Sequence, residues 1–238
     1  MKKIFILILG VVSVITVSAQ QDPQFSQNMF NKLANNPGFA GSRGNIATSV
    51  LHRSQWMGFE GAPKTQNFSI DAELPFLHGG VGLNIVKDEI AQQNSLGLQA
   101  IYAYRTELGV GQIGMGMSVG MYQSGVNGDD FTFATPGDGA IPTGSISGSK
   151  LDIGAGIYYN TQDIYVGISS SHMTEPVVEW SDGAKYPLAR HYFLIAGYYN
   201  ELNPLLSLNP SIYLKSDGAT SQLDINTNLI YNNKMWGG

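Results

Sequence analysis

From residue 45 onward the chain alternates with period two, segment after segment, and few folds accept such a pattern. In "SLGLQAIYAYR", Leu96, Leu98, Ala100, Tyr102 and Tyr104 alternate with positions that include Ser95, Gly97, Gln99 and Arg105. In "GQIGMGMSVGMY", Ile113, Met115, Met117, Val119 and Met121 alternate with Gln112, Gly114, Gly116, Ser118 and Gly120. "LLSLNPSIYLK" and "QLDINTNLIYN" repeat the rhythm near the C-terminus. Successive side chains of a strand point to opposite faces, so each segment reads as a strand with one apolar and one polar face. Ten strands are expected, near 45–53, 65–73, 79–88, 94–106, 111–123, 150–160, 164–173, 190–202, 205–216 and 222–232.

Alternation leaves open which face turns inward. A soluble sandwich hides its apolar face, whereas an outer-membrane barrel shows that face to lipid and keeps a polar lumen. Three features favour the barrel. The strands match the roughly 9–11 residues needed to cross a bilayer at a tilt, beyond the ~5–6 typical of soluble sheets. Aromatic residues gather at strand ends (Tyr158, Tyr159, Tyr192, Phe193, Tyr198, Tyr199, Tyr231), as interfacial girdles would. Connections also alternate in length: "TELGV", "NTQD", "ELNP" and "NNK" are short, whereas 54–64, 124–149 and 174–189 are long. "EIAQQ" and "DGATS" are intermediate, and "ELPFLH" departs mildly from the rule. Short periplasmic turns and longer outer loops follow if strand one runs outward from a periplasmic N-terminus. The expected fold is all-β, a transmembrane antiparallel up-and-down β-barrel with a short N-terminal periplasmic helix or plug. The chain stops at "KMWGG", barely into an eleventh strand, while single-chain bacterial barrels have even strand numbers. A C-terminally truncated barrel is therefore expected.

The N-terminus supplies the address. Lys2 and Lys3 precede an apolar run from Ile4 to about Val17, with Val17 and Ala19 as small residues before a cut after Ala19. The competing reading is a membrane anchor, but the run is short and no stop-transfer charges follow. The expected units are a signal peptide at 1–19, an N-terminal periplasmic segment at 20–44 and an outer-membrane barrel at 45–238, exported through the Sec pathway. With no cysteine there is no disulfide framework, thiolate metal site or cysteine nucleophile. Once Lys2 and Lys3 leave, 11 basic residues face 18 acidic ones, a net charge of −7 that does not suit nucleic acid.

Between leader and first strand stands "DPQFSQNMFNKLANNPGFAGS". Asp22 is a suitable N-cap and Pro23 a suitable first helical residue, and Phe25, Met29 and Leu33 follow at i, i+4 and i+8. The reading is a two-to-three-turn amphipathic helix ended by Asn36, Pro37 and Gly38. It is either a floppy tail or a stripe packed at the periplasmic mouth or in the lumen.

These words, with "HRSQWMGFEGAPKTQNFSID", "YAYR", "LDIGAGIYYN", "YVGISSSH", "RHYFLIAGY" and "DINTNLIYNNKMW", together resemble the PorP/SprF family over residues 22 to 238. Gly38–Phe39 stands where the family usually has Ala–Tyr. Family members look like barrels of about fourteen strands, so roughly four would be missing or incomplete here. The resemblance implies a non-enzymatic component of the type IX secretion and gliding-motility machinery. Its implied partners are outer-membrane lipids, periplasmic ring, motor and peptidoglycan-linked lipoprotein subunits, and a secreted adhesin.

Chemical motifs are weak. His52, His78, His172 and His191 show no metal-ligand spacing, and His191 reads as a girdle or turn residue. Ser169 to Ser171 beside His172 lack the G-x-S-x-G elbow of a lipase. Asp129, Asp130 and Asp138 miss EF-hand spacing, so a solvated loop is expected. "GVGQIGMG" lies inside a strand, where glycines leave lumen space. No catalytic residue, metal ligand or cofactor is expected. The candidates for partner docking are Asp22, Pro23, Phe25, Met29, Phe30, Leu33, Asn36 and Pro37, with Arg53, Trp56 and Pro63 in the loop "HRSQWMGFEGAP". Trp56 reads equally as an interface anchor. The alternative function is a general diffusion porin, whose eyelet would need clustered charges that this lumen face lacks.

Overall fold

The computed structural model describes residues 22–23, 27–130, 144–232 and 234–238. The leader, Phe25 and Asp138 lie outside them. The strands are β1 (Ala47–Ser54), β2 (Lys64–Leu74), β3 (Gly79–Ile90), β4 (Gln93–Leu108), β5 (Gly111–Asn127), β6 (Ser145–Asn160) and β7 (Ile164–Ser171). They continue with β8 (Val177–Glu179), β9 (Lys185–Pro187), β10 (His191–Tyr198), β11 (Asn200–Asn203), β12 (Leu206–Ser216), β13 (Ser221–Tyr231) and β14 (Met235–Gly237). All but β8 and β9 join one antiparallel sheet in the order β1-β2-β3-β4-β5-β6-β7-β10-β12-β13-β14, with β11 also on β12. This is up-and-down topology, with β1 and β14 as the two edges.

Register converts period two into rows. Phe68, Ile85, Leu98, Met121 and Leu151 are successive cross-strand partners and form one apolar row. Ser69, Asn84, Gln99, Gly120 and Asp152 form a polar row on the other face. Burial settles the direction that alternation left open. On β5, Met115, Met117, Val119 and Met121 are 46–58% exposed while Ser118 is 4% exposed. On β2 the buried positions are Thr65, Asn67, Ser69 and Asp71. The molecule is polar inside and apolar outside, which stabilises a sheet against hydrocarbon and not against water.

Several expectations change. β4, β5 and β6 are longer than the sequence rhythm suggested, because polar and glycine positions beyond the apolar stretch still pair, Gln93 and Glu107 on β4, Ser124 and Gly125 on β5, and Ser147 and Gly148 on β6. The eighth strand breaks into β10 and β11 around Tyr199. The loop at 174–189 carries its own hairpin, β8–β9, with Trp180 stacked on Tyr186. Two connections expected to be intermediate are tight: Ala91–Gln92 joins β3 to β4, and 217–220 joins β12 to β13. The girdle is thinner than expected, since adjacent aromatics must alternate. Tyr192, Tyr198 and Tyr231 face outward at 46–48% exposure, whereas Tyr158 and Phe193 point inward and are buried. Tyr199 donates to Ser207 Oγ at 2.9 Å.

The single amphipathic helix is replaced by a 3-10 turn at Asn28–Phe30, a one-turn helix α1 (Lys32–Asn35) and a 3-10 turn at Pro37–Phe39. Asn31 and Asn36 interrupt it because their side chains bond the wall and their backbone leaves helical geometry. Met29 and Leu33 therefore do not share a helix face: Leu33 is 1% exposed, while Met29 lies half-buried at the rim.

Candidate functional site

The N-terminal segment lies against the polar face, and the sheet curls around it. It touches β2 through Asn31, β6 and β7 through Asn36, and β12 through Asp22. Two ends of the curled sheet can be defined. The loop end carries 55–63, 128–130, 144 and 172–190; the turn end carries 75–78, 109–110, 161–163 and the approach to β1.

Glycine makes the middle of the interior possible. A Cβ at Gly116 would collide with the Pro37 carbonyl, and one at Gly114 with the Gly38 carbonyl. The glycines of "GQIGMGMS" thus leave space that Pro37 and Gly38 fill. Asn36 accepts from Gly38 N at 2.8 Å and donates to the Ile157 and Ile168 carbonyls at 3.0 and 3.3 Å. Phe39 meets Tyr158 edge-on at 5.1 Å. Arg105 donates to Gly38 O, Gln112 Oε1 and Asn160 Oδ1 at 3.3, 3.2 and 2.9 Å. Asp71 accepts from Gly41 N at 3.0 Å and pairs with Arg43 at 3.1 Å.

A hydrogen-bonded chain then crosses the wall. Asn31 donates to Asn67, Asn67 donates to Asn84 at 2.7 Å, Asn84 to Gln99 at 3.4 Å, and Gln99 to Asp152 at 3.3 Å. Gln99 on β4 reaches Asp152 on β6 because the intervening member of that row is Gly120, which has no side chain. Asp152 lies 3.0 Å from His172 Nδ1, and His172 Nε2 lies 2.8 Å from Asp22 Oδ1. The chain therefore leaves the N-terminal segment at Asn31 and returns to it at Asp22.

Asp22 is gripped from several sides at the loop end. Ser171 Oγ donates to Oδ2 at 3.3 Å, Lys215 Nζ donates to its carbonyl at 2.9 Å, and His191 Nδ1 is 3.7 Å from Oδ2. Burial alone would lower the His172 pKa, but the Asp22 charge and the contacts to Asp152 and Asp22 push it up to about 10. Burial favours neutral Asp22, yet His172, His191 and Lys215 hold its carboxyl well below the usual carboxylate range. His172 sits at φ 50°, a left-handed conformation that costs energy away from glycine and that the grip holds in place.

Asp22, His172 and His191 bring ligand atoms within 4.8 Å of one another, so they are the residues to weigh for a metal. The cluster balances without one: two carboxylates face an imidazolium and an ammonium, and His191 Nδ1 is engaged by the Ala189 carbonyl at 3.0 Å. The serines beside His172 do not use it as a base. Both His172 nitrogens face carboxylates, Ser169 donates to the Asn35 carbonyl, and Ser171 is spent on Asp22.

The docking candidates separate into groups. Asp22, Leu33, Asn36 and Pro37 are interior contacts, and Pro23 lines a cavity of about 80 Å³ beside them. Phe30 is 42% exposed and packs on Trp236 of β14, ring centroids 4.6 Å apart. Arg53 faces inward on β1 and Pro63 is buried, so neither shares a surface with Trp56. Trp56, Met57 and Phe59 stand 68–85% exposed on the loop. Sequence reasoning weighed His172 and His191 and set them aside, and did not single out Lys215 or Asp152; what the four share is an inward-facing, buried position.

A family model described as "Type IX secretion system membrane protein PorP/SprF" matches residues 17–238. No curated protein and no solved structure matches the chain.

Proposed function

The chain belongs to the PorP/SprF family of type IX secretion system membrane proteins, and on that premise we propose that it is a non-enzymatic outer-membrane component that docks other parts of the machinery. In this reading β1 runs outward, the turn end faces the periplasm and the loop end faces the medium. The protein supports export or surface attachment of a secreted adhesin, and through it gliding motility. Met29 and Phe30 meet periplasmic ring, motor or peptidoglycan-linked subunits, while Trp56 with Met57 and Phe59 meets either cargo or the bilayer interface. The signal peptide is removed after Ala19.

The observation that carries this reading is the occupied interior. The N-terminal segment is bonded to the wall from Asp22 at one end to Arg43 at the other. A diffusion porin needs a wide polar lumen with charged eyelets, and here the chain's own residues occupy that space. Under this orientation Asp22 lies toward the outer end, so of the two packings expected for the N-terminal segment, at the periplasmic mouth or in the lumen, this reading takes the lumen. The test pairs two assays. A strain lacking the protein should fail to deliver type IX cargo to its surface and regain delivery on complementation, and proteoliposomes should show no solute-driven swelling. Swelling at porin rates with cargo delivery intact would overturn the proposal in favour of a porin.

A further inference from the structure

The turn end holds a groove of about 390 Å³, bounded by Met29, Phe30, Phe39 and Tyr165 and by the β6–β7 turn at 161–163. Pockets of this size take several side chains rather than one small ion. Its chemistry is unusual in one respect. Lys32 Nζ sits 3.4 Å from the Tyr165 ring centroid and 5.8 Å from that of Phe39, and has no carboxylate or hydrogen-bond acceptor among the described residues. Arg43 stands over the same Phe39 ring at 5.1 Å and is paired with Asp71. Two cations thus share one aromatic shelf, and one of them lacks a counter-charge among the described residues. Burial and the Arg43 charge pull the Lys32 pKa down to about 8, the response of an ammonium short of an anion. Asp163 is the acid on the lining, and it lies exposed on the turn.

We propose that this groove is a docking site for an acidic, aromatic-bearing peptide segment of another protein, whose carboxylate pairs with Lys32 while an apolar side chain rests on Met29 and the exposed Phe30 at the rim. Charge complementarity selects the occupant: a basic or neutral segment would leave Lys32 uncompensated, whereas a carboxylate completes it with a charge-assisted hydrogen bond. The rim adds the apolar contact that a bare anion could not use. The assignment rests on the proposed function only in placing the groove toward periplasmic components.

The experiment uses the full chain in detergent micelles. A fluorescent decapeptide alternating Glu and Phe is titrated against it, beside a Lys–Phe decapeptide of equal length. The acidic peptide should bind, should weaken about tenfold between 50 and 500 mM salt, and should lose about tenfold in Lys32→Met and Lys32→Gln. Folding of each variant is checked by the heat-dependent gel shift of intact barrels. Equal binding of both peptides, or full affinity in both folded variants, overturns the proposal. Competition by millimolar inorganic phosphate as strong as that by the peptide would mark a small-anion site and also overturns it. In cells, a photo-crosslinker at Gln162 should capture a type IX periplasmic subunit through an acidic segment identified by mass spectrometry. Peptide binding that holds in vitro while cargo delivery proves independent of the protein would leave the groove standing and remove the secretion role.

Discussion

Asp22 is fixed by groups from β7 and its end, β10 and β12, and its behaviour with pH follows from the signs. His172 faces Asp22 from the N-terminal segment, Asp152 from β6, His191 from β10 and Tyr122 from β5, while Lys215 on β12 holds the Asp22 backbone. A raised imidazole pKa contributes stability that is complete below the ordinary value of 6.5 and is lost as pH rises through about 10. A lowered carboxyl pKa contributes stability present above 3.8 and lost as pH falls toward its depressed value. The grip should therefore be firm from about pH 4 to neutrality and release at both extremes. A cysteine placed at Ala34, which lines the adjoining cavity, should be protected from a small maleimide at pH 6 relative to a cysteine at the exposed Asp182. It should lose that relative protection at pH 10, the comparison removing the rise that thiol ionisation alone causes. Asp22→Asn should make it reactive at pH 6, by a change of about 1–3 kcal/mol in segment release. Unchanged protection in Asp22→Asn would show that the glycine-lined middle holds the segment alone.

Each strand divides its labour between lipid and interior, and neighbouring residues therefore carry opposite penalties. Met117 and Ser118 are adjacent on β5, one 58% exposed on the outer belt and the other 4% exposed beside Gly116. An arginine on the lipid face near the bilayer midplane costs about 2–4 kcal/mol. Met117→Arg should lower the folded, heat-shifting fraction in outer membranes, whereas Met117→Leu should leave it unchanged. If Met117→Arg inserts normally, that face of β5 meets water or protein and the membrane reading of this element fails. The aromatic pairs obey the same division: Tyr158 fills the interior against Phe39 while Tyr159 donates to the Leu108 carbonyl at 3.2 Å. A cluster of aromatics in sequence is thus half girdle and half packing.

At the scale of the molecule, one handed choice sets every other placement: which way β1 crosses. With no native cysteine, single cysteines report it cleanly. Under the proposed orientation Asp182→Cys, in the turn of the β8–β9 hairpin, should react with an impermeant maleimide on intact cells, and Gln162→Cys should not. The opposite pattern would invert the periplasmic and outer assignments and move the Lys32 groove to the outside. The sequence alone determined the strands, their tight turns at the turn end and the two chemistries of their faces, because period two is a local property of an extended backbone. It also carried the family words at their places in the chain. Alternation alone left the inward direction of the polar face open, though strand and connection lengths pointed to a polar lumen, and the path of the N-terminal segment through it was decided only by the tertiary structure. Period two is the same whichever way a sheet curls, so no local signal holds the sign of curvature. Likewise Asp22 and His172 stand 150 residues apart, and Gln99 meets Asp152 only because register sets a glycine between them. Contacts of that kind depend on pairing and curvature summed over many strands, which the spacing of residues along the chain does not contain.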